Sequence, residues 1–302
     1  MAINASWLAS STPLYAVYQD KTYFPILREI WPLNHLDLYP ELQSIEWNNL
    51  DKKSLILPLI PYSPDDYDLD AILEAPSLKH PLGTDDQGRD LLSRIIHGSK
   101  ISLSVGFIAV GIYVSIGLLL GALAGYFGGK TDFLLSRLIE IVICFPTFFL
   151  ILTLVGVLER SLFYIMLAIG LTGWTGIARL VRGEFLKLKN QDFMTAARTL
   201  GLSDTRLIFY HLLPNSLAPV LVSATFGMAS AILIESSLSF LGFGVPPPTP
   251  SWGQLLSSAR GFMDMAWWLA LFPGLAIFLS ITTLNLLGEG LRDVLDPKLK
   301  RV

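Results

Sequence analysis

The stretch from Ile101 to Gly129 reads ISLSVGFIAVGIYVSIGLLLGALAGYFGG and carries no charged residue. A hydrocarbon core about 30 Å thick is crossed by roughly 20 mostly apolar residues in a helix rising 1.5 Å each. Further charge-free runs follow at 141–158, 161–178, 207–234 and 265–288. Together they predict an all-α polytopic membrane protein with five transmembrane helices, near 101–126, 133–156, 161–180, 216–242 and 266–288. Glycine and proline stand inside these spans (Gly111, Gly117, Pro146, Gly170, Gly173, Gly227, Pro273, Gly274). Tight helix packing in lipid tolerates and uses such residues. A large buried core in a soluble protein does not produce separate runs of this length.

Composition agrees. Of 302 residues, 52% are hydrophobic and 16% charged, against about 25% charged in soluble domains. Mean hydropathy is +0.53. A net charge of −3 leaves no basic footprint for nucleic acid. Cys144 is the lone cysteine, so there is no disulfide framework and no multi-cysteine metal site. His35, His80, His97 and His211 show no ligand spacing.

Charge is distributed unevenly: residues 1–100 hold 22 of the 47 charged side chains. Between the third and fourth spans lie Arg179, Arg182, Lys187, Lys189, Arg198 and Arg206, and the tail carries Arg292, Lys298, Lys300 and Arg301. The positive-inside rule places the 181–215 loop and the C-terminus in the cytoplasm. Five spans then put residues 1–100 outside, although no basic-then-apolar signal peptide precedes them. Either these residues cross as an N-out segment, or a first helix is missing from this sequence. The first hundred residues form an extracytoplasmic segment rich in proline and aromatics. Pro25, Pro32, Pro40, Pro58 and Pro61 leave no room for a long helix or a central strand. Trp7, Tyr15, Tyr23, Trp31 and Trp47 supply a small packed face.

The cytoplasmic loop, 184–214, is the most informative stretch. Phe193, Ala196, Ala197 and Leu200 fall at i, i+3, i+4 and i+7, an apolar stripe on a short helix. Gly201 sits where a helix stops in the left-handed conformation. Ser203 or Asp204 is placed to cap a second short helix toward His211, and Pro214 to break the chain before the fourth span. Such an element suits docking into a groove on another protein; a solvated loop helix fits the pattern equally well.

This loop resembles the coupling loop of binding-protein-dependent ABC importer permeases. Ala196, Ala197, Gly201, Leu213 and Pro214 match its Glu-Ala-Ala…Gly…Ile-x-Leu-Pro pattern in type and spacing, while Thr195 replaces the glutamate and His211 the isoleucine. The stretches His80–Asp90, Leu238–Gly242, Pro250–Gly253 and Gly290–Pro297 resemble the peptide branch of the family, specifically the second permease subunit of oligopeptide, dipeptide and nickel importers. The resemblance covers residues 80–302 in one order, with a looser likeness over 12–80. It implies the type I permease fold, a sixth, N-terminal helix missing from this sequence, and a heterodimer with a second permease subunit. It also implies two ATP-binding cassette subunits gripping Phe193, Thr195, Ala196, Ala197, Arg198, Leu200, Gly201, His211, Leu213 and Pro214. A periplasmic or lipid-anchored peptide-binding protein would deliver cargo at the bacterial inner membrane. No cofactor is implied for the chain itself; ATP is bound by partners. In keeping with that, the chain contains no G-x-x-x-x-G-K-[ST] phosphate loop.

Glu140 and Glu235 lie within or at the ends of spans, where structural pairing or interface hydration is favoured over substrate binding. Asp85, Asp86 and Asp90 sit among Gly83 and Gly88, which reads as a turn with an aspartate cap rather than a cation site. The stiff Pro246–Gly253 stretch either braces an outer gate or meets the binding protein, or is an interfacial loop with Trp252 in the headgroup belt. Trp267 and Trp268 read as belt residues. Two rivals stand against the permease. An ion-coupled secondary transporter or channel favours internal repeats around midplane charges, and an intramembrane enzyme needs a nucleophile–base or metal pair within spans. The sequence shows neither.

Overall fold

A computed structural model of the protein describes residues 5–18, 21–29, 38–39, 47, 55–158 and 160–295. Trp31, Pro32, Pro40, Lys298, Lys300 and Arg301 lie outside the described residues. The chain divides into two units, residues 1–103 with 239–276 and residues 104–238 with 277–302.

In the first unit, α1 (Ala5–Leu8) precedes β1 (Tyr15–Tyr18), β2 (Lys21–Tyr23) and β3 (Leu55–Ile56). The three strands form an antiparallel sheet of order β2-β1-β3, with Ala16 opposite both Tyr23 and Leu55. A short central strand therefore does form, contrary to the expectation from the prolines. Pro13 and Pro25 flank the β1–β2 hairpin rather than interrupt it, so no ladder N–H is lost.

The start of α2 (Leu91–Phe127), α9 (Trp252–Ala259) and the start of α10 (Trp268–Leu295) complete this unit. Leu91, Leu255, Ala259, Ala266, Trp268 and Leu269 form one buried apolar cluster, and Ala5, Ala9, Ile60 and Ile96 another. Trp268, expected as a belt residue, belongs to the first of these clusters instead, and Trp252 is buried in the same unit. The Trp268 indole N–H donates to the Thr84 carbonyl at 3.1 Å, and that of Trp252 to the Ile95 carbonyl at 3.0 Å. A buried indole needs such a partner, and each finds one in a backbone carbonyl. Trp267 is exposed.

The turn before α2 is built as its sequence suggests. Gly83 and Gly88 take φ of 80° and 74°. Asp85 accepts from the N–H groups of Gln87 and Arg89, each at 2.9 Å, and from Arg89 Nε at 2.7 Å. Arg94, fully buried, approaches the same carboxylate at 3.5 Å. Asp90 accepts from the Ser93 N–H at 2.7 Å, capping α2, and its other oxygen meets His80 Nδ1 at 2.9 Å. These aspartates are consumed by cations and amides, and among the described residues no cluster of metal-ligating side chains occurs.

The second unit holds most of α2, then α3 (Gly129–Ile143), α4 (Thr147–Val157), α5 (Leu162–Lys189), α6 (Asp192–Thr199), α7 (Asp204–Arg206), a π-helical turn (Leu207–Leu212), α8 (Leu213–Phe240) and the end of α10. Among the described residues, four continuous helices are long and apolar enough to cross a membrane: 91–127, 162–189, 204–240 and 268–295. The stretch expected as one span over 133–156 is two helices, α3 and α4, bent by 79° at a break. Pro146 lies at the break, where its missing N–H and its clash with the preceding residue's helical conformation stop α3. The helices also outrun the charge-free runs, because amphipathic turns at 91–100 and 181–189 continue them.

Along α2, Gly117, Gly121 and Gly125 form a bare stripe against α5. A Cβ on Gly121 would lie 2.5 Å from the Ala178 carbonyl oxygen, so α2 and α5 meet nearly backbone to backbone. Arg182 of α5 grips Asp132 in the first turn of α3 with two hydrogen bonds, one of them from Nη2 at 2.8 Å. Glu140 is exposed and paired with Arg137, while Glu235 is wholly buried.

Candidate functional site

The candidate site is the turn-rich segment between α5 and α8. Asn190 ends α5, its side-chain amide donating to the Leu186 carbonyl at 3.1 Å. Asp192 opens α6 and Arg198 closes it, each favourable to the helix dipole. At the end of α6, the Leu202 N–H bonds the Ala197 carbonyl at 3.3 Å and the Gly201 N–H bonds that of Arg198 at 2.9 Å. With Gly201 at φ 75°, this is a Schellman stop. Gly201 therefore does what its position predicts.

Two other expectations are corrected here. Ser203 occupies the N-cap position of α7, but its side chain makes no capping bond. Pro214 does not break the chain, because residues 204–240 run as one helix. The π turn at Leu207–Leu212 explains this, since a proline ring clashes with the carbonyl four residues earlier and an i→i+5 turn opens that space. The Asn215 amide donates to the His211 carbonyl at 2.6 Å within the same turn.

The predicted stripe of Phe193, Ala196, Ala197 and Leu200 is split by the structure. Ala197, 7% exposed, faces inward with Met194, and Leu207 and Leu212 are buried as well. Here α6 packs on α5 and on the π turn. Phe193 at 38% and Leu200 at 79% face outward with Thr195, Ala196 and Arg198. Phe209 and Tyr210 are exposed beyond them, a pair the sequence stripe missed. A 3.6-residue period cannot be carried through a left-handed glycine and a π turn. His211 and Leu213 are half-buried, and Pro214 is exposed.

The segment is also tied to the end of α2. The Tyr126 hydroxyl donates to Asp204 Oδ1, and Lys189 Nζ donates to the Tyr126 carbonyl at 2.5 Å while lying 5.6 Å from the Tyr126 ring centroid. These partners are far apart in sequence, so no local pattern announces them.

The element presents an apolar knob on a short helix packed against α5 and the π turn. Comparison with known proteins gives it a context. The family described as "Binding-protein-dependent transport system inner membrane component" matches residues 117–301. A dipeptide transport system permease protein of Alkalihalophilus pseudofirmus is 44% identical over 228 residues, 76% of this chain and 75% of that protein. A di/tripeptide permease protein of Pseudomonas aeruginosa is 43% identical over 246 residues, 80% of this chain and 81% of its own. A glutathione permease protein of Pectobacterium atrosepticum is 41% identical over 243 residues, 80% and 81% of the two chains. In fold, the chain is similar to the inward-facing MetNI methionine ABC transporter, with TM-score 0.56 and 16% identity over 68% of this chain and 98% of that one. The protein belongs to the family of inner-membrane permease components of binding-protein-dependent ABC importers, the multi-pass subunits that carry the translocation path and leave ATP hydrolysis to partner ATPases.

Proposed function

We propose that the chain is one of two permease subunits of an importer for peptides or peptide-like molecules, paired with a different permease as a heterodimer. The observation that carries this reading is the 43–44% identity to dipeptide and di/tripeptide permease proteins over about three quarters of the chain. Two ATP-binding subunits grip residues 184–214 from the cytoplasm. A periplasmic or lipid-anchored binding protein delivers cargo to the opposite face, where residues 1–100 form the extracytoplasmic segment. The C-terminus is cytoplasmic, on the same side as the arginines and lysines of the loop.

The geometry of 184–214 suits that role. Phe193, Leu200, Phe209 and Tyr210 give a groove-filling surface, and buried Met194 and Ala197 give it a fixed seat. When the ATPases close, a rigid seat passes displacement to α2, α5 and α8 as a body. Co-expression with the ATPase pair and the second permease tests the reading. ATP-dependent uptake of a peptide that requires all subunits supports it, and uptake by this chain alone argues for an ion-coupled carrier. A reporter fused within 184–206 should be cytoplasmic and one near residue 65 external.

A further inference from the structure

Inside the second unit is a cavity of about 180 Å3, walled by apolar side chains of α4, α5 and α8 that include Ile151, Ile169 and Ile234. Tyr113 of α2 lines it and is 7% exposed. Gly227 of α8 makes room for the phenol: a Cβ there would fall 1.4 Å from the Tyr113 hydroxyl. Among the described residues no hydrogen bond reaches that hydroxyl, which opens on the cavity. In a helix apolar enough to cross a membrane, such a group is costly unless something else satisfies it.

The remaining polar groups of the wall indicate what would satisfy it. Thr172 and Ser230 spend their hydroxyl protons on the Ala168 and Phe226 carbonyls, at 2.8 Å and 3.1 Å. Tyr113 keeps its proton uncommitted. Thr147, also on the wall, is the first residue of α4, which starts abruptly after Pro146 with no side-chain cap. The first N–H groups of that helix lack intrahelical acceptors and carry the positive end of its dipole. A free hydroxyl donor beside an uncapped helix start within a broken span favours an anionic acceptor.

We propose that this cavity is a transit subsite that takes a carboxylate of the cargo, with the Tyr113 hydroxyl donating to it beside the start of α4. The proposal rests on the transport reading above, and its test separates the two. The complete importer, with partner subunits, is reconstituted in vesicles and given trialanine or trialanine amide. Wild type should favour the free acid. Tyr113→Phe, which removes one oxygen and keeps the ring against Gly227, should slow trialanine uptake roughly tenfold, the size of one hydrogen bond to a charged group. It should leave the amide, the basal ATPase rate and the thermal midpoint unchanged. Equal uptake of both probes by the variant and wild type, or an equal loss on both with a lower midpoint, overturns the subsite. If wild type takes up neither probe, the peptide reading falls. Saturation transfer from the purified complex to acetate then decides the cavity: a signal lost in Tyr113→Phe supports it, and an unchanged signal overturns it.

Discussion

The Tyr126 hydroxyl, at the end of α2, donates a hydrogen bond to the Asp204 carboxylate 78 residues further along the chain. Lys189 closes the same junction from the end of α5 by bonding the Tyr126 carbonyl. The segment that follows the Gly201 stop is thus fastened to α2, and α2 in turn to α5. A push on α6 or the π turn has a path into both.

Tyr126→Phe should loosen that path without unfolding the protein, because one hydrogen bond to a charged group contributes on the order of 2 kcal/mol. ATPase subunits should still co-purify while uptake per ATP hydrolysed falls. Asp204→Asn should do the same, and the double variant should be no worse than either single one. Additive losses would mean that the two residues act separately.

Gly201 has open space around the position of a Cβ, so its requirement is one of backbone conformation alone. Gly201→Val should cost about 1–2 kcal/mol in the left-handed region and misdirect the chain into α7. Gly201→Asn, which tolerates that region, should retain most uptake. Equal loss in both variants would point to a contact at Gly201 with a partner instead.

Exposure divides the loop substitutions into two kinds. Phe193→Glu and Leu200→Glu should leave expression and folding intact and abolish ATPase co-purification. Ala197→Glu should lower the thermal midpoint, because a carboxylate placed beside Met194 loses its hydration, at a cost of several kcal/mol. Normal ATPase retention in Phe193→Glu and Leu200→Glu together would remove the docking role from this face.

Much of this was legible in the sequence, and the failures share a cause. Charge-free runs located the four continuous membrane-length helices among the described residues, since the bilayer acts on each residue independently of its neighbours in space. Gly201 was legible because a left-handed stop is local. The break in 133–156 was hidden by composition: both halves are apolar, and Pro146 inside a span reads equally as a tolerated kink. Ala197 and Leu200 could not be told apart, because which side of α6 is covered depends on α5 and the π turn. Trp252 and Trp268 look interfacial by type, yet their indoles answer to carbonyls at Ile95 and Thr84, over 150 residues away.

The turn before α2 makes the sharpest stability prediction. Asp85 is 3% exposed and stands between two buried guanidinium groups, Arg89 and Arg94, while also holding two backbone amides. Asp85→Asn would keep the shape and leave two buried cations without their anion, a loss of about 3–5 kcal/mol. Asp86→Asn, at a less buried neighbour, should change stability by less than about 1 kcal/mol. The thermal midpoint of the purified protein in detergent reads both. The same experiment with a chelator tests the cation-site alternative, because Asp85 and Asp90 are already committed to arginine, histidine and amide donors. The midpoint should therefore be indifferent to chelation. A chelator-induced drop that matches the Asp85→Asn variant would mean that a metal ion, and not Arg94, neutralises this turn.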